Sequence, residues 1–82
     1  MAEMVKILGT EIALSTANTV GNASVVSIHN NTAGAVLITR ANGGGTIGTL
    51  TLSAGATEYL QKAPTETFAS NTAVRAVSIA IN

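Results

Sequence analysis

A chain of 82 residues and 8.2 kDa has room for one domain, since separate cores usually need more than about fifty residues apiece. Hydrophobic residues make up 46%, but 14 of them are alanines, so the larger apolar side chains form a thin core that self-association would help. Four Lys+Arg against four Glu give zero net charge with only 10% charged residues, which argues against a phosphate-seeking surface. With no Cys there is no disulfide framework, thiolate zinc site or cysteine nucleophile.

Twelve Thr, eight Gly and seven each of Val, Ile and Asn are a strand-and-turn composition. Met1 to Gly9 lacks the basic-then-apolar order of a secretory leader, and no apolar window reaches the roughly 18 residues of a membrane span. Met4–Leu8 and Thr10–Leu14 read as short extended segments broken at Gly9, one bulged edge strand or an extended arm within residues 1–12. Ser15–Asn22 reads as a connection. In Ser24–Asn30 alternation puts Val26 and Ile28 on one face and Ser27 and His29 on the other. Asn30–Gly34 has hairpin length, so Ala35–Arg40 is expected to pair back on it. The glycines of Ala41–Thr46 mark a second turn, a hairpin tip.

Ile47–Ser53 alternates Leu50 and Leu52 against Thr49 and Thr51, and after a break at Ala54-Gly55 it is expected to form another hairpin with Ala56–Lys62. Pro64 ends that strand, because it cannot donate to a ladder. Thr65–Asn71 reads as a long turn plugged onto the core by Phe68. Val74–Ile81 places Val77, Ile79 and Ile81 on one face against Ala76, Ser78 and Ala80. Six to eight short strands at about ten-residue spacing predict one all-β domain over 1–82. The architecture is a small antiparallel β-sandwich, jelly-roll or immunoglobulin-like, or a compact barrel. Val26, Ile28, Val36, Ile38, Leu50, Leu52, Val77 and Ile79 are the expected inner faces, and Ile28→Ala or Leu50→Ala is expected to cost roughly 2–5 kcal/mol.

The inventory for chemistry is poor. Paired-carboxylate catalysis would draw on Glu3, Glu11, Glu58 and Glu66, which read as terminal, edge or face charges. His29 is the sole histidine, without a second His or a Cys to complete a metal site or an Asp to orient it beside a serine. Gly43-Gly-Gly-Thr-Ile-Gly48 lacks the spacing of a phosphate loop. Asn22-Ala-Ser24 and Asn30-Asn-Thr32 match the glycosylation pattern as turn-rich sequences do by chance. No catalytic, cofactor-binding or metal residue is assigned. A neutral surface rich in Ala and Thr has a low desolvation cost and favours packing on another protein surface. Arg40, Glu58 and Lys62, at strand ends beside turns, are the candidate rim of such a partner surface.

Val25-Val-Ser-Ile-His-Asn30, Ala35-Val-Leu-Ile-Thr-Arg40, Gly48-Thr-Leu-Thr-Leu-Ser-Ala-Gly55 and Glu58-Tyr-Leu-Gln-Lys-Ala-Pro64-Thr-Glu-Thr occur in that order. In this series the chain resembles the small virion structural proteins of tailed bacteriophages, particularly those infecting marine cyanobacteria. The resemblance spans roughly Val25–Ile81. It implies a β-sandwich without enzymatic activity or cofactor, assembled in the host cytoplasm into the virion, present in many copies or as a homo-oligomer. Its partner would be the major capsid protein, for a decoration or cement role, or neck and tail proteins, for an adaptor ring. A carbohydrate-binding sandwich is the alternative of another class, with Tyr59 as its stacking residue.

Overall fold

The computed structural model describes residues 4–81 and contains eight strands and no helix among them. The strands are β1 (Val5–Ile7), β2 (Ile12–Leu14), β3 (Val25–His29), β4 (Val36–Asn42), β5 (Gly45–Leu52), β6 (Thr57–Gln61), β7 (Thr67–Ser70) and β8 (Val74–Ile81). They form two sheets with every pair antiparallel, one ordered β1-β8-β3-β6 with β2 also on β8, the other β5-β4-β7. The fold is therefore the all-β sandwich that the composition predicts.

Both β1 and β2 lie along the same edge of β8, and the register slips between Ile7↔Ile79 and Ile12↔Ala76. Gly9 sits in that slip, where a Cβ would stand 2.9 Å from the Ser78 Oγ, so a larger residue there would have to turn that hydroxyl aside. Glu3 and the start of the proposed arm, residues 1–3, lie outside the described residues.

Two expected hairpins are corrected. Successive segments β3 and β4 belong to different sheets, as do β5 and β6, so Asn30–Gly34 and Ser53–Ala56 carry the chain across the sandwich. Alternation reports which face of a strand is inward, and it is the same for a hairpin partner as for a strand crossing to the facing sheet. The tight hairpin is β4–β5, turned at Gly43-Gly44 with Asn42 paired to Gly45. Thr65–Asn71, read as a turn, contains β7, which pairs with β4 through Phe68↔Arg40.

The core cluster holds Leu14, Val20, Val26, Ile28, Val36, Ile38, Leu52, Phe68, Val74 and Ala76 with Ala23. Val26, Ile28, Val36, Ile38 and Leu52 are inward as expected. Leu50, opposite Ile38, keeps the expected face but is 38% exposed because β5 is a sheet edge. Two other assignments are corrected. In β8 the phase is opposite to the reading that turned the bulkier residues inward. Ala76 lies between Ile12 and Ile28 on one inner rung, where a small side chain lets two isoleucines converge, and Val74 pairs with Leu14. Val77, opposite Ser27, therefore faces outward and is half-buried. Ile79 is buried too, but on that same outer face and outside the core cluster.

The connection before β3 carries backbone strain. Val20, Gly21 and Asn22 all have positive φ, 53°, 68° and 56°. For a β-branched residue this costs on the order of 1–3 kcal/mol. Val20 is held there by its burial and by its N–H donating to the Asn18 Oδ1 at 2.7 Å.

Candidate interaction surfaces

The two long sides of the sandwich are unlike. On one side Asn18 and Phe68 exchange backbone hydrogen bonds at 3.0 Å and the Ser70 N–H donates to the Ser15 carbonyl at 2.9 Å. The Ser15–Asn18 segment, leaving β2, thus occupies the free edge of β7 and closes the sandwich there. The opposite side is bounded by β5 and β6, the edges of the two sheets. It opens as a groove of about 190 Å³ lined by Ile38, Leu50, Leu60 and Phe68, with Arg40, Gly48, Thr49 and Gln61 at its margins.

The outer face of the larger sheet is the second surface. Residues directly opposite in antiparallel strands share a face, so the rungs Val5–Ile81, Ile7–Ile79 and Val77–Ser27–Tyr59 lie side by side. Ile7 is 71% exposed and Tyr59 47%, and Val5 and Ile81 are exposed beside them. Farther along the same face the rung becomes polar. His29 Nδ1 and Thr57 Oγ1 are 2.7 Å apart, and the Arg75 Nε donates to Glu11 at 2.8 Å.

The candidate rim residues do not form one group. Arg40 donates from both Nε and Nη2 to the same oxygen of Glu66, at 2.9 and 2.7 Å. Lys62 is interior rather than on a rim, 3% exposed, with its Nζ donating to the Ala23 carbonyl at 2.6 Å. Arg40 and Lys62 border a common hollow with Ser24, Gln61, Ala63 and Pro64. Glu58 is exposed on β6 opposite Ile28 and contributes nothing to that hollow. The residue that organises the cluster is Glu66, which the sequence reading counts only as a solvated charge. It lies four residues after Lys62 across the Pro64 turn, and that spacing of opposite charges was the signal available.

Burial pulls the Lys62 ammonium below its ordinary 10.5, with the Glu66 charge opposing the shift. The Ala63 N–H donates to Glu66 at 2.8 Å, and this bond, followed by the Arg40 hydrogen bond, holds the carboxyl below its ordinary 4.5. A carboxyl with a depressed folded value binds its proton more weakly than in the unfolded chain. Its stabilisation is complete above 4.5 and is lost as pH falls through the depressed value. Glu66→Gln is thus expected to lower the urea midpoint at pH 7 and to leave it near wild type at pH 2–3. An equal deficit at both pH values would show that the carboxylate charge contributes nothing.

Among the described residues no three of His, Cys, Asp and Glu gather as a metal would require. No protein-family model matches the chain, and comparison with curated proteins and with solved structures finds no match.

Proposed function

We propose that the chain is a non-enzymatic structural subunit that docks in many copies on a larger protein shell, as a virion decoration protein of a tailed phage does. The observation that carries this reading is the apolar half of the outer sheet face. Val5, Ile7, Ile81 and Tyr59 are exposed there, with half-buried Val77 and buried Ile79 among them, and no charged side chain stands on their rungs. A monomer that exposes such a patch gains by covering it, at roughly 25 cal/mol per Å² of apolar surface. The polar end of the face, with Glu11, Arg75 and His29, bounds the patch as a rim.

A weak site suffices for this role. A protein that binds the assembled lattice and not its separated subunits stabilises it by RT ln(1+[L]/Kd), about 2.7 kcal/mol per site at a hundredfold excess over Kd. Repetition over a shell multiplies that term. Tyr59 belongs to the patch in this reading, as an aromatic anchor rather than a sugar-stacking residue.

The test is co-sedimentation of the purified chain with tailed-phage capsids stripped of accessory proteins. Saturable binding is expected, weakened at least tenfold in Ile7→Lys and in Tyr59→Lys, both of which replace exposed side chains and leave the core intact. Absence of binding, or variants that bind like wild type, would overturn the reading. Binding to a glycan array that Tyr59→Ala abolishes would replace it with the carbohydrate alternative.

A further inference from the structure

We infer that β5 is a self-pairing edge, and that two copies of the chain join antiparallel along it into a continuous six-stranded sheet ordered β7-β4-β5-β5-β4-β7. The inference concerns a different surface from the docking face and does not depend on it.

Exposed edges are ordinarily blunted by charge, proline, shortness or a covering segment. Four of the five outer strands have such a device: β1 and β2 are three residues long, β1 also carrying Lys6, β6 carries Glu58 and is followed by Pro64, and β7 is covered by Ser15–Asn18. By contrast β5 is eight residues, Gly-Thr-Ile-Gly-Thr-Leu-Thr-Leu, with neither charge nor proline. Its ladder to β4 is regular from Gly48 to Leu52, the register shift lying beyond Gly48 where Ile47 is the extra residue. Among the described residues no hydrogen bond other than the β4 ladder reaches Gly45–Thr51. Alternate backbone groups of this stretch therefore face outward as matched N–H and C=O pairs.

The occupant that fits is the same strand reversed. An antiparallel edge is complementary to its own copy about a two-fold axis, which makes a closed, isologous contact. Register centred on Leu50 sets Leu50 against Leu50 of the second copy and Thr49 against Thr51, so that like faces meet. The paired leucines cover the mouth of the groove, where Leu50 is exposed and Leu60 half-buried above the buried Ile38 and Phe68. At Gly48 a Cβ would meet nothing within 4 Å, so there is room for the neighbouring strand's side chains. No like charges oppose one another along the contact, and zero net charge removes long-range repulsion between copies. A contact of one strand and one groove margin is smaller than a standard interface of about 1,600 Å², so a weak dimer is expected, with Kd on the order of tens of micromolar.

Sedimentation equilibrium from about 10 µM to 1 mM tests this. Wild type is expected to pass from monomer to dimer. Leu50→Lys, which sets two cations opposite each other, and Thr51→Lys, on the other face of the same strand, are each expected to weaken the dimer at least tenfold. Both sites are exposed, and far-UV circular dichroism checks that the fold persists. Ile7→Lys, on the docking face, is expected to leave self-association unchanged. In hydrogen exchange, Gly48–Leu52 amides of wild type slow as concentration rises. A monomer throughout the range, or a dimer broken by Ile7→Lys and untouched by Leu50→Lys and Thr51→Lys, overturns the inference. A chain that dimerises along β5 and ignores phage shells would refute the docking proposal and leave this one standing.

Discussion

Phe68→Ala is expected to lower stability by about 3–5 kcal/mol, the loss of transferred area plus the cavity left behind. Phe68 is 2% exposed, and it is fixed from two directions. Its backbone pairs with Arg40 in β4 and exchanges hydrogen bonds with Asn18, so the space left by truncation cannot readily collapse. It is also the only phenylalanine of a chain with no tryptophan, and the one tyrosine, Tyr59, lies on the outer face of the other sheet, away from the gap. An 82-residue domain has about 4–12 kcal/mol in all, so the variant should be at the margin of folding. Urea titration measures it directly, with Leu50→Ala as the contrast. Leu50 already contacts solvent, and its truncation is expected to cost less than about 1 kcal/mol. Equal losses in the two variants would mean that the side of the sandwich between β5 and β6 is closed rather than open.

Asn30→Ala has the second largest expected effect, about 2–4 kcal/mol by the same titration. Asn30 is fully buried and uses its whole amide. Its Nδ2 donates to the carbonyls of Gly34 and Leu52, each at 2.9 Å, while its Oδ1 accepts from the Thr32 N–H at 2.9 Å and the Thr32 hydroxyl at 2.6 Å. Its backbone N–H and carbonyl bond to Ala56 and Gly55. One side chain thus ties the β3–β4 crossover to the β5–β6 crossover. Truncation leaves the Leu52 carbonyl without this donor in the interior, where an unmet polar group costs more than the bond itself contributes. Asn30→Asp should be worse at neutral pH, since a carboxylate would face two carbonyl oxygens. Its folded-state carboxyl would then have a raised value, so the variant's deficit should shrink as the solution is acidified. A loss below about 0.5 kcal/mol in Asn30→Ala would show that the two crossovers hold without it. The same geometry bears on the Asn30-Asn-Thr32 pattern, because an amide with both hydrogens engaged in the interior is not open to glycosylation in the folded chain.

Neither residue was weighed equally in the sequence. Phe68 was legible as a core plug because a lone large ring in a polar segment has nowhere else to go, although the segment itself is a strand and not a turn. Asn30 looked like an ordinary turn residue, since nothing in a local pattern reveals that Gly34 and Leu52 would supply acceptors from two directions. Among the proposed rim residues, Lys62 illustrates the same limit. A lysine at a strand end beside a proline reads as solvated, and only the approach of the Ala23 carbonyl gives its ammonium an interior partner.

What the amino-acid order alone determined was class and phase. The Thr, Val, Ile and Gly content selects strands, and period-two alternation turns Val26, Ile28, Val36, Ile38 and Leu52 inward, because backbone sterics and the pleat act within a few residues of chain. Which strands become neighbours was decided only in three dimensions. Long-range pairing put β3 beside β8 and β6, sent β4 to the other sheet, reversed the face of β8 so that Ala76 could sit between two isoleucines, and left β5 at an edge. These choices depend on side-chain volumes meeting from distant segments and on which backbone edges find partners. Local periodicity carries no information about either.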